Sequence, residues 1–159
     1  MSVERVRIFN QGVVAASAEQ AWAWLTDWAG TRRARNAAAA NAGALAFSGI
    51  RLIGGEDEVP RTRVIDFPQL GEVRETVRGQ CNETMHLYYT IDGDGPLGIR
   101  NYLATTDIDA VSPTTCLVTI TARFDLAPGA DVVKAKGLVD NAHNVVVIGG
   151  MRRFFAAAG

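Results

Sequence analysis

Cysteine and long apolar runs are scarce in this sequence, and each absence excludes a class of protein. The 159 residues include only two cysteines, Cys81 and Cys116, which lie far apart and form no metal-binding spacing such as CxxC. We therefore expect two free thiols in a reducing compartment rather than a disulfide framework or a redox motif. No apolar run reaches the roughly 20 residues that a membrane-spanning helix needs.

A strong net charge and the common cofactor motifs are also lacking. The formal net charge is -1, so no global field attracts nucleic acid or an anionic membrane. The first residues, MSVERVRIFNQG, show no secretory-signal pattern, and we expect a cytoplasmic protein. There is no P-loop, nucleophile elbow or dinucleotide fingerprint, and the two histidines do not predict a metal site. We accordingly expect no cofactor, no metal, no nucleic-acid partner and no membrane partner.

The N-terminal third of the sequence predicts one strand followed by helices. A strand pattern of alternating apolar residues covers Val3–Val14. Ser17, followed three residues later by Gln20, forms a capping box that predicts a helix ending near Gly30. A second, alanine-rich helix is predicted over Arg32–Ala40.

The rest of the sequence predicts six strands and then one long helix. The strand patterns lie between Ala44 and Asp125, separated by turn residues, and the helical period returns from Gly129 to Ala158. The glycine pair Gly149–Gly150 could bend this helix. The order predicts one domain over residues 1–159 with an α+β fold. In it, a curved seven-stranded antiparallel sheet wraps around the long C-terminal helix, with two short helices between strands 1 and 2 and a cavity between helix and sheet.

This order of elements resembles the helix-grip fold of the START-like (SRPBCC) superfamily. The most specific part is VRETV (73–77) followed by LYYTIDGDGPLGIRNYLATTDI (87–108), and ASAEQAWAWLTDWAG is similar to the usual first helix. The resemblance is closest to the bacterial polyketide cyclase/dehydrase-like branch, with distant similarity to the plant abscisic acid receptors. Those receptors carry a His-Arg latch where this sequence has Gly95 and Pro96, so no hormone-type switch is predicted.

The resemblance implies which residues surround the cavity. Glu75 and Tyr102 correspond to polar pocket positions, residues 66–71 to a gating loop and residues 93–97 to a latch. We expect the ligand to contact a largely apolar set of side chains. These are Tyr89, Leu87, Ile91, Phe67, Pro68, Leu97, Ile120, Ala142 and Val146.

Glu75 is also singled out by the alternation of its own strand. It lies between Val73 and Val77, and alternate residues of a strand share a face, so its carboxyl is predicted to point toward the apolar interior. A buried carboxyl must be hydrogen-bonded, paired, hydrated or protonated. Burial raises the pKa of a carboxyl, and a carboxyl with a pKa closer to neutrality can act as an acid or a base. Glu75 is therefore either a proton-transfer group or a structural group satisfied by ordered water or by a hydroxyl such as that of Tyr102.

His143 is the second polar candidate, because it lies beside the apolar stripe of the last helix. Across the cavity from Glu75 it would complete an acid/base couple. The alternative is a boundary residue that makes one backbone or water contact. We accordingly predict Glu75, Tyr102 and His143 as the catalytic residues.

The sequence therefore predicts a polyketide cyclase/dehydrase-like protein that binds a small hydrophobic, aromatic or polyketide-like molecule. Glu75 would act as acid/base, Tyr102 as a hydrogen-bond donor to an enolate and His143 as a second proton carrier in cofactor-free cyclisation or dehydration. The alternatives are a non-enzymatic carrier or sensor, or a structural, chaperone-like role. We expect a monomer or homodimer.

Overall fold

Seven antiparallel strands form one curved sheet in the computed structural model, which describes residues 3–30 and 46–158. The strands are β1 (Glu4–Val14), β2 (Gly49–Ile53), β3 (Arg61–Phe67), β4 (Gly71–Cys81), β5 (His86–Ile91), β6 (Ile99–Ser112) and β7 (Thr115–Leu126). Their order across the sheet is β1-β7-β6-β5-β4-β3-β2. From β2 to β7 each strand therefore pairs with the next one along the chain, which needs only short turns. The predicted helix-grip fold is confirmed.

The first helix, α1 (Ala18–Thr26), begins as the capping box predicts. The Gln20 main-chain N–H donates to Ser17 Oγ at 3.1 Å, and the Ser17 N–H donates to Gln20 Oε1 at 3.0 Å. The helix ends at Thr26, before the predicted stop at Gly30. Gly30, with φ 69°, instead closes a separate turn by donating its N–H to the Asp27 carbonyl at 2.8 Å. The predicted second helix over residues 32–40 lies outside the described residues.

The C-terminal helix is continuous but changes its hydrogen-bonding period in the middle. It consists of α2 (Val132–Asn141), a π-helical segment (Ala142–Ile148) and α3 (Gly149–Ala157). The irregularity therefore precedes the glycine pair, at which the sequence predicted a bend. Gly150 instead allows the helix to pack closely against Trp24, because a Cβ at this position would lie only 3.2 Å from the Trp24 ring. A π segment inserted in an α-helix is frequently found at a functional site.

The inner faces of the strands are apolar, as the alternation predicts. On β7 the inward residues Val118, Ile120, Ala122 and Phe124 are all buried. Thr76 on β4 is an exception among the outward residues, since it is buried and donates its hydroxyl to Asp92 Oδ2 at 2.7 Å. This hydrogen bond replaces the contact with water that the pattern predicted.

Three further observations concern thiols, metals and membranes. Cys81 and Cys116 are both free. Across residues 3–30 and 46–158, no group of three His, Cys, Asp or Glu side chains is arranged to hold a metal ion. No helix in the described part of the chain is both long enough and apolar enough to span a membrane.

Candidate functional site

A cavity of about 120 Å³ lies between the inner face of the sheet and the helices. Its apolar and aromatic wall consists of Trp24, Leu25, Trp28, Phe47, Ile50, Ile65, Phe67, Tyr89, Ile120, Ala142, Val146 and Val147. The polar members of the wall are Arg63, Glu75, Thr106 and His143. This volume suits about one aromatic ring, since an engineered apolar cavity of about 150 Å³ in another protein binds benzene.

An ion pair between Arg63 and Glu75 forms one polar part of the wall. The two residues are direct partners across β3 and β4. Arg63 Nε donates to Glu75 Oε2 at 2.5 Å, and Arg63 Nη2 contacts the same oxygen. Each side chain is only 14% exposed, so the pair is largely shielded from water. Glu75 Oε1 accepts no hydrogen bond within the described residues, since both arginine contacts go to Oε2.

Trp28 fixes the position of this ion pair. The Arg63 guanidinium lies 3.8 Å from the centre of the Trp28 ring and donates from Nη1 to the Trp28 carbonyl at 3.2 Å. Trp28 Nε1 in turn donates to the main-chain carbonyl of Glu75 at 3.0 Å. The turn after α1 is thereby tied to both strands. A guanidinium stacked on an aromatic face and bonded to a carboxylate has little freedom to move.

Two tyrosines and His143 form the second polar part. The Tyr102 hydroxyl lies 3.0 Å from His143 Nε2 and 3.3 Å from the Tyr89 hydroxyl. A bulge in β6, with Asn101 at φ 51°, precedes Tyr102 and interrupts the pairing with β7. Bulges re-aim neighbouring side chains, and here the tyrosine points inward and is buried. His143 comes from the π-helical segment.

His143 is neutral at neutral pH and is incompletely hydrogen-bonded. The side chain is fully buried, and burial lowers its pKa to about 4, while nearby Asp140 acts in the opposite direction. Nε2 contacts Tyr102, but Nδ1 is buried and has no partner in the described part of the chain. Burial also raises the pKa of Tyr89 and that of Tyr102, so both hydroxyls keep their protons.

The predicted site residues divide into those that line the cavity and those that do not. The lining set is Glu75, His143, Phe67, Tyr89, Ile120, Ala142 and Val146. The others are Tyr102, which lies behind the wall against His143, Leu87 in the core, half-buried Ile91, exposed Pro68 and Leu97, which is 40% exposed. Glu75 and His143 share the cavity but bond to different partners, so they do not form a hydrogen-bonded couple.

Arg63 is a wall residue that the sequence reasoning missed. The signal was available, because Arg63 alternates with Ile65 and Phe67 in RTRVIDF and so shares their inward face. The tight turn between Phe67 and Gly71 then sets the register that places Arg63 opposite Glu75. A charge of opposite sign at the facing position would have predicted the partner of Glu75.

A curved antiparallel sheet that grips a C-terminal helix around a cavity defines the helix-grip class of START-like proteins. Within that class, the chain belongs to the family described as polyketide cyclase/dehydrase and lipid transport, whose model matches residues 5–157. No curated protein sequence matches the chain significantly.

Several solved structures share this fold. Norcoclaurine synthase from Thalictrum flavum, in complex with dopamine and hydroxybenzaldehyde, is 18% identical with a TM-score of 0.74, and the match covers 99% of this chain and 90% of that one. A protein from Thermobifida fusca is 21% identical with a TM-score of 0.72, covering 93% and 92%. The protein XoxI from Bacillus cereus is 15% identical with a TM-score of 0.71, covering 95% and 96%. At these identities the likeness shows the fold alone.

Proposed function

We propose that the cavity binds a small aromatic or polyketide-like carbonyl compound and transfers protons on it without a cofactor. The observation that carries this proposal is the state of His143. It is a neutral imidazole in the cavity wall, with Nε2 held by Tyr102 and a buried Nδ1 that lacks a partner within the described residues. Unsatisfied buried polar atoms are uncommon and costly. With the imidazole proton on Nε2, Nδ1 is an acceptor, and a ligand group that donates, such as a hydroxyl, would supply the missing hydrogen bond.

The chain from His143 through Tyr102 to Tyr89 has the connectivity of a neutral proton relay. Its two ends line the cavity, and Tyr102 joins them from behind. Nδ1 takes the proton from a carbon next to the ligand carbonyl, and Nε2 passes its own proton to Tyr102. Tyr102 passes one to Tyr89, which donates to the carbonyl oxygen. The C–H bond breaks, an O–H bond forms on the ligand, and no group ends with a net charge.

Arg63 and Glu75 bind and orient the ligand in this proposal. A guanidinium has five N–H groups, and three of those of Arg63 are engaged with Glu75 and with the Trp28 carbonyl. The remaining N–H groups can stabilise negative charge that develops on a ligand oxygen. The sequence suggested Tyr102 as the hydrogen-bond donor to the enolate, but Tyr102 does not line the cavity. In this proposal Arg63 and Tyr89, which do line it, are the donors.

The size of the ligand is supported by two observations. The cavity volume of about 120 Å³ suits roughly one ring. Norcoclaurine synthase, which shares the fold, has been crystallised with dopamine and hydroxybenzaldehyde, each a one-ring molecule. Larger polyketide-like compounds would require the wall around Phe47 and Phe67 to open.

Deuterium exchange tests this proposal, because it detects proton transfer next to a carbonyl whether or not a later chemical step follows. The protein is incubated in D₂O with a panel of one-ring aryl ketones and short polyketide-like carbonyl compounds, and mass spectrometry follows deuterium uptake and new products. We expect exchange next to the carbonyl. His143→Gln and Tyr102→Phe should each slow it by about 100-fold, the low end for general acid–base catalysis. Tyr88→Phe, on the outer face, is the matched control and should leave the rate unchanged.

Carriage without chemistry is the second candidate function. It is favoured by the Arg63–Glu75 ion pair, which holds the carboxylate as a fixed anchor for a ligand. It predicts that a compound is recovered unchanged at about one per chain and gains no deuterium. Glu75→Gln would then weaken binding. If no compound binds and none exchanges, both candidates are overturned.

A further inference from the structure

A groove of about 440 Å³ runs over the outer face of the sheet, on the side opposite to the cavity. Its lining residues come from β1, β6 and β7 and are Arg7, Ile8, Phe9, Leu103, Thr105, Thr121, Ala122 and Arg123. The function proposed above does not involve this surface.

Two arginines face each other in this groove. Arg7 on β1 and Arg123 on β7 are direct cross-strand partners, and both are exposed. Like charges in this position are unfavourable. Within residues 3–30 and 46–158, neither guanidinium forms a hydrogen bond or an ion pair. The protein therefore carries two adjacent positive charges on this face that no carboxylate of the described residues pairs with.

The nearest carboxylate in the register, Asp125, does not neutralise this pair. Asp125 Oδ1 accepts from Arg5 Nε at 3.0 Å, and Oδ2 accepts from Asn101 Nδ2 at 3.0 Å. These two hydrogen bonds hold the pKa of Asp125 below its usual value, and the charge of Arg123 contributes less. Both carboxylate oxygens are thus engaged by other side chains.

The groove also offers apolar surface beside the arginines. Phe9 is 63% exposed, and Leu103 on β6 is half-buried. A ligand that fits both features has two negative charges on one group and an apolar body. A phosphate monoester carries about -1.5 to -2 charges and three acceptor oxygens, which matches two guanidinium groups. A carboxylate would neutralise only one of them.

We propose that Arg7 and Arg123 form a binding site for a phosphate monoester that carries an aromatic or other apolar group. The phosphate bridges the two guanidinium groups, and the apolar group lies against Phe9. Binding removes the repulsion between the arginines and covers an exposed aromatic ring.

Titration of the 159-residue protein with phenyl phosphate, inorganic phosphate and phenol tests the proposal. At low ionic strength, phenyl phosphate should bind about tenfold more tightly than inorganic phosphate, and phenol should not bind in the groove. Arg7→Gln and Arg123→Gln should each weaken phenyl phosphate binding by about tenfold or more. Arg74→Gln is the matched control, because it changes the net charge equally but removes an arginine that is ion-paired with Glu72 elsewhere.

Thermal unfolding gives a second readout that a purely structural role would not produce. Without ligand, Arg7→Gln should keep or raise the Tm, because it removes a like-charge contact. With phenyl phosphate, the same variant should lose the rise in Tm that the unsubstituted protein shows. The proposal is overturned if phenyl phosphate affinity does not depend on Arg7 and Arg123. It is also overturned if anionic lipid vesicles bind through these arginines while soluble phenyl phosphate does not.

Discussion

Arg63 and Glu75 face each other across β3 and β4, and each supplies the opposite charge that the other needs in the cavity wall. Neither charge could be buried alone at acceptable cost, because desolvation of an isolated ion far exceeds what packing returns. Stacking on Trp28 holds the arginine in place. Both contacts of the arginine go to Glu75 Oε2, so Oε1 has no hydrogen bond within residues 3–30 and 46–158. The pair is therefore structural, and the ligand-binding role that we propose for it would use the same few atoms.

A double-mutant cycle on this pair should reveal strong coupling. Arg63→Gln or Glu75→Gln alone leaves an uncompensated, mostly buried charge and should destabilise the protein by about 2–3 kcal/mol. The double substitution should cost less than the sum, with a coupling energy of about 1–3 kcal/mol. Urea unfolding at neutral pH measures all four proteins.

The pair Arg78 and Asp92 provides the control for this cycle. It also joins an arginine to a carboxylate, at 3.0 Å, but its side chains are 46% and 33% exposed. Exposed pairs contribute about 1 kcal/mol or less. A coupling energy for Arg63 and Glu75 that is no larger than this control would contradict the shielding of the cavity wall.

The fold was predictable because its determinants are local. The capping box at Ser17 and the alternation on β7 depend on residues close in sequence, and both gave the correct element and face. The inward direction of Glu75 followed in the same way. Because only short turns separate consecutive strands, the simplest prediction was that each strand pairs with the next one along the chain.

The candidate site was less predictable because its contacts join distant segments. Tyr102 and His143 are 41 residues apart, and the approach of their side chains depends on a β-bulge and a π-helical segment that no simple period reveals. The π-helical segment also explains why His143, which the sequence placed only beside the apolar stripe, is fully buried in the cavity wall. Arg63 was missed for a different reason, since an arginine in a strand usually indicates a solvent-facing residue.

His143 should make the protein less stable as the pH falls below its ordinary pKa. Its pKa is lowered from 6.5 to about 4 by burial, so between these values the unfolded chain binds a proton that the folded protein does not. Stability from this group is therefore complete above about pH 6.5 and is lost as the pH falls to about 4. The loss should reach about 3 kcal/mol.

The test compares the free energy of unfolding at pH 7, 5.5 and 4.5 for the unsubstituted protein and His143→Gln. The glutamine cannot be protonated, so its profile should lack the component that begins near pH 6.5. His86→Gln, at a half-exposed position on the outer face, is the matched variant and should retain that component. Parallel profiles for His143→Gln and the unsubstituted protein would rule out a buried neutral histidine.

Two glycine-to-alanine substitutions should have opposite effects, because only one glycine is needed for packing against the π-helical segment. Gly137 lies exposed in α2 with nothing within 4 Å of its missing Cβ, so alanine should stabilise the helix by about 0.5–1 kcal/mol. A Cβ on Gly12 of β1 would lie 2.8 Å from Ile148 Cγ2. Alanine there must displace the Ile148 side chain or the helix segment that carries it, and should cost about 1–3 kcal/mol. Urea unfolding distinguishes the two. Equal or higher stability of Gly12→Ala would mean that strand and helix are not held in this close contact, and that the helix which carries His143 is free to shift.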